Sequence, residues 1–194
     1  MNTSIETFTG RFFDYREPDA RDVDPLSIAH ALGNICRYTG HCRVFYSVAA
    51  HSLLCAELAR LHNLPTRIEL LALVHDAHEA YVGDVNSPLK RAMNGSSDRY
   101  ADIEARAELV VLEALGVAPP SASERHTVKC LDLIALKTEA RVLLPSRAVG
   151  PEWYAVPEKP CEGIEVVCLQ PEEGAAKWLN TYRAMMNALR GLEV

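Results

Sequence analysis

The chain has 194 residues, of which 48% are hydrophobic and 24% charged; this is enough apolar content for one folded domain with a sizeable core and too much for a disordered segment. Its formal net charge of −6 argues against a surface built to neutralise a nucleic-acid backbone, but not against a small anion held in a locally positive cleft. The N-terminus lacks the basic and apolar regions of a secretory signal, no stretch is apolar enough to span a bilayer, and six cysteines include no C-x-x-C pair. A cytoplasmic protein with free thiols and no zinc knuckle is expected.

In chain order, Asp24 before Pro25 reads as an N-cap with proline at the first helical position, and predicts a helix over 25–36. Helical patterns follow over 44–63, 66–82, 98–116, 121–144 and 172–190. Breakers separate them at Gly40, Pro65, Gly83, Pro88, Gly95, Gly116, Pro119-Pro120 and Pro145. The proline-rich stretch 145–160 reads as an ordered surface loop. Strand signal is confined to 163–171 (GIEVVCLQP), where Val166 and Val167 are β-branched, with a short partner near the N-terminus. The last helix carries Trp178, Leu179, Tyr182, Met185, Met186 and Leu189, which would serve either the core or an interface. The expected architecture is all-α: a helical bundle over a single domain, 1–194, with a small β decoration near the C-terminal third.

Three of these helices carry polar residues where apolar ones belong. In 66–82 (TRIELLALVHDAHEAYV) the apolar positions 68, 70, 71, 73, 74, 77 and 80 define a wide buried face, and His75-Asp76 is set into it. An ionised aspartate there is costly unless it is paired or bound to a cation. Glu79, four residues after His75 and three after Asp76, shares their face. His51 stands in the apolar run 46–61, and Asp132 among Leu131, Leu133, Ile134 and Leu136. Taken singly, His51 reads as a hydrogen-bonded core histidine and Asp132 as a carboxylate paired with Lys129 or Arg141. Three such oddities on three helices are better explained by one shared divalent ion. A zincin motif is absent, because the residue three after Glu79 is Val82 and not histidine.

The order His, His-Asp and distant Asp resembles the HD-domain metal-dependent phosphohydrolases. The likeness extends over ALGNICRYTGHCRVFYSVAAHS (31–52), LVHDAHEAYVGDVNSPLK (73–90), VKCLDLIALKTEA (128–140), WYAVP (153–157) and the final helix, which is most of the chain. Within that superfamily it is similar to bacterial HD-domain 5'-deoxynucleotidases and to the compact phage-type deoxynucleoside triphosphohydrolases, the dATP-specific ones among them. The resemblance implies an HD-domain bundle with His51, His75, Asp76 and Asp132 as metal ligands. Nitrogen and oxygen ligands without thiolates suit Mn²⁺, Co²⁺, Zn²⁺, Fe²⁺ or, more weakly, Mg²⁺.

Glu79 is placed to orient or deprotonate a water. Asp84 matches a position that the family uses at the catalytic centre or sugar hydroxyl, although Gly83-Asp84 also reads as a turn. Arg37 matches the family's substrate arginine, Lys90 could reach the same cleft, and Tyr38 and Pro88 could flank the base or sugar. His78 departs from the family pattern, which has a small residue there. It could serve a second ion or a substrate phosphate, but the favoured reading is a partly exposed histidine at the mouth, with His41 and His126 as weaker candidates. The implied function is hydrolysis of the 5' phosphate ester of deoxynucleotides, as a dNTP triphosphohydrolase or a dNMP 5'-nucleotidase. The alternatives are an HD-fold iron oxygenase and a non-catalytic nucleotide-binding protein. The expected partner is a small nucleotide, with no nucleic-acid polymer and no membrane, and the chain is expected to form a homo-oligomer.

Overall fold

Asp24 does cap the first long helix: its carboxylate accepts from the backbone N–H groups of Leu26 and Ser27, both at 3.0 Å. The structure, a computed structural model, describes residues 2–93, 99–154, 156 and 158–191; Gly95, Asp98, Ala155 and Pro157 lie outside the described residues. Helices α1 (Pro25–Asn34), α2 (Val48–Leu61), α3 (Thr66–Val74), α4 (Glu79–Val82), α5 (Ser87–Met93), α6 (Arg99–Ala114), α7 (Ala122–Leu143), α8 (Pro151–Tyr154) and α9 (Pro171–Leu189) form an all-α bundle. None of the described helices is long and apolar enough to cross a membrane.

The final helix belongs to the core. Trp178 is fully buried and donates from its indole N–H to the Leu73 carbonyl at 3.1 Å, while the Tyr182 hydroxyl donates to the Leu115 carbonyl at 2.7 Å. Helix α9 packs on α1 and α3, and α3 packs on α2 and α7. Where α1 meets α9, a Cβ on Gly33 would stand 2.5 Å from the Pro171 carbonyl oxygen, so only glycine permits this approach.

The structure differs from expectation in the place of the β decoration, in the continuity of 66–82 and in two stretches read as loops, of which 145–160 holds the short helix α8 (Pro151–Tyr154). The β decoration is N-terminal: β1 (Ser4–Glu6) pairs antiparallel with β2 (Phe12–Asp14), Ile5 opposite Phe13. Buried Phe13 stacks on Tyr81 at 4.2 Å, and the Tyr15 hydroxyl donates to the Tyr81 carbonyl at 2.8 Å, so the hairpin is pinned to α4. The predicted strand over 163–171 runs with no strand beside it, its Ile164 and Val166 packed on helices; β-branched residues suit an extended chain, but a ladder needs a partner. Secondly, 66–82 is not one helix. The ring Nδ1 of His75 donates to the Ala72 carbonyl at 2.8 Å, which an uninterrupted helix would give to the Asp76 N–H, and Ala77, Glu79 and Tyr81 bond three residues back. Thirdly, the loop after Asp84 contains α5, whose start is capped by Asn86 Oδ1 on the Leu89 N–H at 2.9 Å.

Candidate metal centre and cleft

The site is assembled from three long-separated segments. Ser47 caps α2 by accepting from the Ala50 N–H, and the chain before it lies extended against 35–37, with Arg37 N–H donating to the Tyr46 carbonyl at 2.9 Å and Val48 N–H to the Ile35 carbonyl at 3.0 Å. This sends His51 inward from the first turn of α2. The tightened turn 75–78 presents His75 and Asp76, and α7 presents Asp132.

The four predicted ligands meet. His51 Nε2 lies 3.3 Å from Asp132 Oδ1 and 3.6 Å from Asp76 Oδ2; His75 Nε2 lies 3.1 Å from Asp76 Oδ2 and 4.0 Å from Asp132 Oδ1. Donor atoms that share one ion, each about 2.0–2.2 Å from it, stand roughly 3–3.5 Å apart. Both tautomers suit such sharing. The Ala72 carbonyl engages His75 Nδ1 and the Glu139 carboxylate engages His51 Nδ1 at 2.6 Å, which turns each Nε2 toward the carboxylates. His75 Nε2 is buried without a hydrogen-bond partner. Burial would raise Asp76, but His75 and His51 hold it well below the ordinary carboxylate range. Burial lowers both imidazoles, but Glu139 and Asp132 raise His51 and Asp76 raises His75, so the carboxylates favour positive charge at this spot, and the residues present fit a divalent ion. Cys55 Sγ also approaches His51 Nε2 at 3.6 Å, and His51, Cys55 and His75 can bring donor atoms within 4.8 Å of one another. Burial holds that thiol above its ordinary value, so the sulfur forms a neutral inner wall.

Lys129 Nζ pairs with Asp132 Oδ2 at 2.6 Å, the ion pair that the sequence suggested, while Oδ1 faces His51. All six cysteines are free, as expected. Glu79 is buried, with Oε2 lacking a hydrogen-bond partner, and burial, then Asp76 and Asp84, push it well above the ordinary range. Burial also pushes Asp84 up, against the pull of Arg37. Arg37 is buried, with Nη1 3.7 Å from Asp76 Oδ2 and Nε 3.3 Å from Glu139 Oε2.

Other predicted residues are placed differently from expectation. Tyr38 is turned inward, its hydroxyl donating to Glu139 Oε2 at 3.0 Å, which leaves it poorly placed to flank a base. Tyr38 and Thr39 are consecutive non-glycine residues with left-handed backbones, φ 55° and 53°, and the Asn86 amide steadies Thr39 Oγ1 at 3.1 Å. Lys90 is engaged by Glu104, and Pro88 is exposed on α5. His78 is not a partly exposed mouth histidine: it is buried, with Nε2 3.6 Å from Glu104 Oε1, because α6 packs over it. His41 and His126 are exposed, and neither belongs to the His51–Cys55–His75 group.

Sequence reasoning missed Glu139, which is fully buried. A signal for it was present: Glu139 follows Asp132 by seven residues, two helical turns, and so lies on the same face of α7.

A family model for YfbR-like 5'-deoxynucleotidases matches residues 43–124. The chain is 40% identical over 139 residues to the uncharacterized protein YfdR of Escherichia coli K12, covering 72% of this chain and 71% of that protein. It is 28% identical over 190 residues to an uncharacterized protein of Rhodobacter capsulatus, covering 94% of this chain and 95% of that one. A 5'-deoxynucleotidase of Pasteurella multocida, PM0747, is 34% identical over 92 residues, covering 41% of this chain and 47% of that protein.

Proposed function

We propose that this chain, which belongs to the YfbR-like family of HD-domain phosphohydrolases, is a divalent-metal-dependent 5'-deoxynucleotidase cleaving the ester between a deoxynucleoside 5'-oxygen and its phosphate. The observation that carries this reading is the meeting of His51, His75, Asp76 and Asp132 in one small space, with His75 Nε2 buried 3.1 Å from Asp76 Oδ2 and in no aligned hydrogen bond. These four would hold the ion. When bound, a divalent cation supplies acidification of a water and charge to offset the phosphoryl oxygens.

The chain's own residues do the rest. Arg37 offers the fork of donors that suits a phosphate. Glu79 Oε2, without a partner of its own, accepts the proton of the attacking water. Burial, then Asp76 and Asp84, push Glu79 upward, and a cation held by Asp76 would offset the second of these three causes and so favour the base form. Asp84, kept protonated more readily by burial, donates to the leaving 5'-oxygen. The new P–O bond comes from water and the ester P–O bond breaks; Glu79 gains the proton of the water, Asp84 gives one to the 5'-oxygen, and a proton passing from Glu79 back to Asp84 through solvent restores both.

Of the two deoxynucleotide classes, the monophosphate fits better. Arg37, Lys90 and Lys129, the basic side chains set about the cleft, are each already matched by a carboxylate, on Glu139 and Asp76, Glu104 and Asp132 respectively. A triphosphate would bring about four negative charges to a cleft with little cationic surplus. That the proposed catalytic groups come from residues 37 to 139 while α9 packs on α1 and α3 supports reading 1–194 as one domain.

The test is to strip the protein of metal, restore Mn²⁺ or Co²⁺, and resolve the products from dNMPs, dNTPs and rNTPs by ion-exchange chromatography. Inorganic phosphate from dNMPs is expected. Triphosphate from a dNTP would instead make it a triphosphohydrolase. No turnover of any nucleotide by metal-loaded protein would overturn the assignment, and redox-active iron would point to oxygenase chemistry.

A further inference from the structure

Glu139 is the only fully buried carboxylate among the described residues, and the reaction outlined above does not use it. Burying such a charge is expensive unless every lone pair is engaged. Its partners are unusually well defined. Oε1 accepts from His51 Nδ1 at 2.6 Å and from the Tyr46 hydroxyl at 3.1 Å. Oε2 accepts from the Tyr38 hydroxyl at 3.0 Å and lies 3.3 Å from Arg37 Nε, an ion pair whose N–H is not aligned as a hydrogen bond. Those four partners come from the turn at 37–40, the segment before α2, and α2 itself, whereas Glu139 comes from α7.

One carboxylate therefore touches two parts of the proposed site. At one it fixes His51 as the tautomer with Nε2 free toward Asp76 and Asp132. At the other it holds Arg37, whose Nη1 is 3.7 Å from Asp76. A core requirement alone would be met by an apolar residue at less cost, since burying a carboxylate with matched donors seldom stabilises more than a hydrophobic replacement does. We propose that Glu139 is the positioning residue of this site, orienting His51 for metal binding and anchoring Arg37 for the phosphate through the two oxygens of the same carboxylate. This rests on reading His51 as a ligand and Arg37 as a phosphate-binding residue.

The inference is tested by titrating Mn²⁺ into the metal-stripped full-length protein and following binding calorimetrically, with Asp76→Ala as the variant that removes a ligand. Glu139→Gln preserves size but removes the charge and one acceptor. It is expected to bind Mn²⁺ about 10- to 100-fold more weakly, the usual consequence of losing a carboxylate behind a ligating histidine, and its KM for a dNMP is expected to rise as Arg37 loses its anchor. A folded Glu139→Gln protein with wild-type Mn²⁺ affinity would overturn the inference. If that variant does not fold, Tyr46→Phe removes one donor to the same oxygen; a few-fold loss of Mn²⁺ affinity supports the anchor, and unchanged affinity overturns it. Failure of the underlying metal reading looks different: the folded wild-type protein itself would take up no Mn²⁺, or Asp76→Ala would bind as well as wild type.

Discussion

Asp76 and Glu79 are three residues apart and both buried or nearly so, yet their surroundings push them in opposite directions. Two imidazoles approach Asp76 and hold it ionised, whereas Glu79 has an unpartnered oxygen and two carboxylates for company. One suits a ligand and the other a proton acceptor. Asp76→Ala is accordingly expected to lose both metal and turnover, whereas Glu79→Gln should keep metal but slow turnover by about 10²- to 10⁴-fold, the usual span of general base catalysis. Metal content measured beside kcat separates the two, and a Glu79→Gln enzyme of full activity would remove Glu79 from the mechanism. The residues at this scale were legible where they broke a pattern: a histidine or aspartate on an apolar face is visible in sequence. Glu139 was not noticed, because Lys137, Thr138 and Arg141 around it make a glutamate look like part of a solvated helix face. Its burial follows from tertiary packing against Tyr38, Tyr46 and His51, which no local pattern encodes.

Among the elements, α7 carries Asp132 and Glu139, so its start matters to the site at its middle. Ser121 Oγ accepts from the Glu124 N–H at 3.3 Å, and Glu124 accepts from the Ser121 N–H at 2.7 Å, a reciprocal cap to which Arg67 of α3 adds an ion pair at 2.6 Å. Ser121→Ala should cost about 1 kcal/mol. The Arg67 guanidinium, followed by the Ser121 N–H, holds the Glu124 carboxyl down at about 2, from an ordinary 4.5. A lowered folded-state value means that the contribution is complete above the ordinary value and disappears as pH falls from there toward about 2. Melting curves of wild type and Glu124→Gln should therefore be separated at pH 7, draw together as pH falls through about 3, and converge only below about pH 2; a separation that persists there would assign the effect to something other than charge. The long helices were legible because caps, prolines and apolar spacing agree with one another, whereas the short α5 and α8 fall where loops were predicted. The break at 75–78 was not, since apolar periodicity continues through it and the cause is a ring nitrogen that takes a backbone carbonyl. The strand predicted near Val166 failed for the complementary reason: local propensity was present, but the partner strand was not.

At the scale of the whole molecule, the bundle class follows from composition and helical spacing, whereas the crossing of α1 and α9 at Gly33 and the pinning of the hairpin on Tyr81 depend on contacts far apart in sequence. The same long-range closure would make the fold sensitive to an ion bound at the proposed site. The proposed ligands come from α2, the turn after α3, and α7, so an ion bound to all of them exists only in the folded chain and its binding energy adds to folding energy. At a free Mn²⁺ concentration 100 times Kd the gain is about 2.7 kcal/mol, which for a chain of this size corresponds to a rise in Tm of roughly 5–10 °C. Thermal unfolding of chelator-treated protein with and without Mn²⁺ measures it directly. The rise should vanish in Asp76→Ala, because a carboxylate between both imidazoles is lost, but survive in Glu79→Gln. An equal rise in both variants would mean that Mn²⁺ stabilises the protein somewhere else, since only a site built on Asp76 can tell these two neighbours apart.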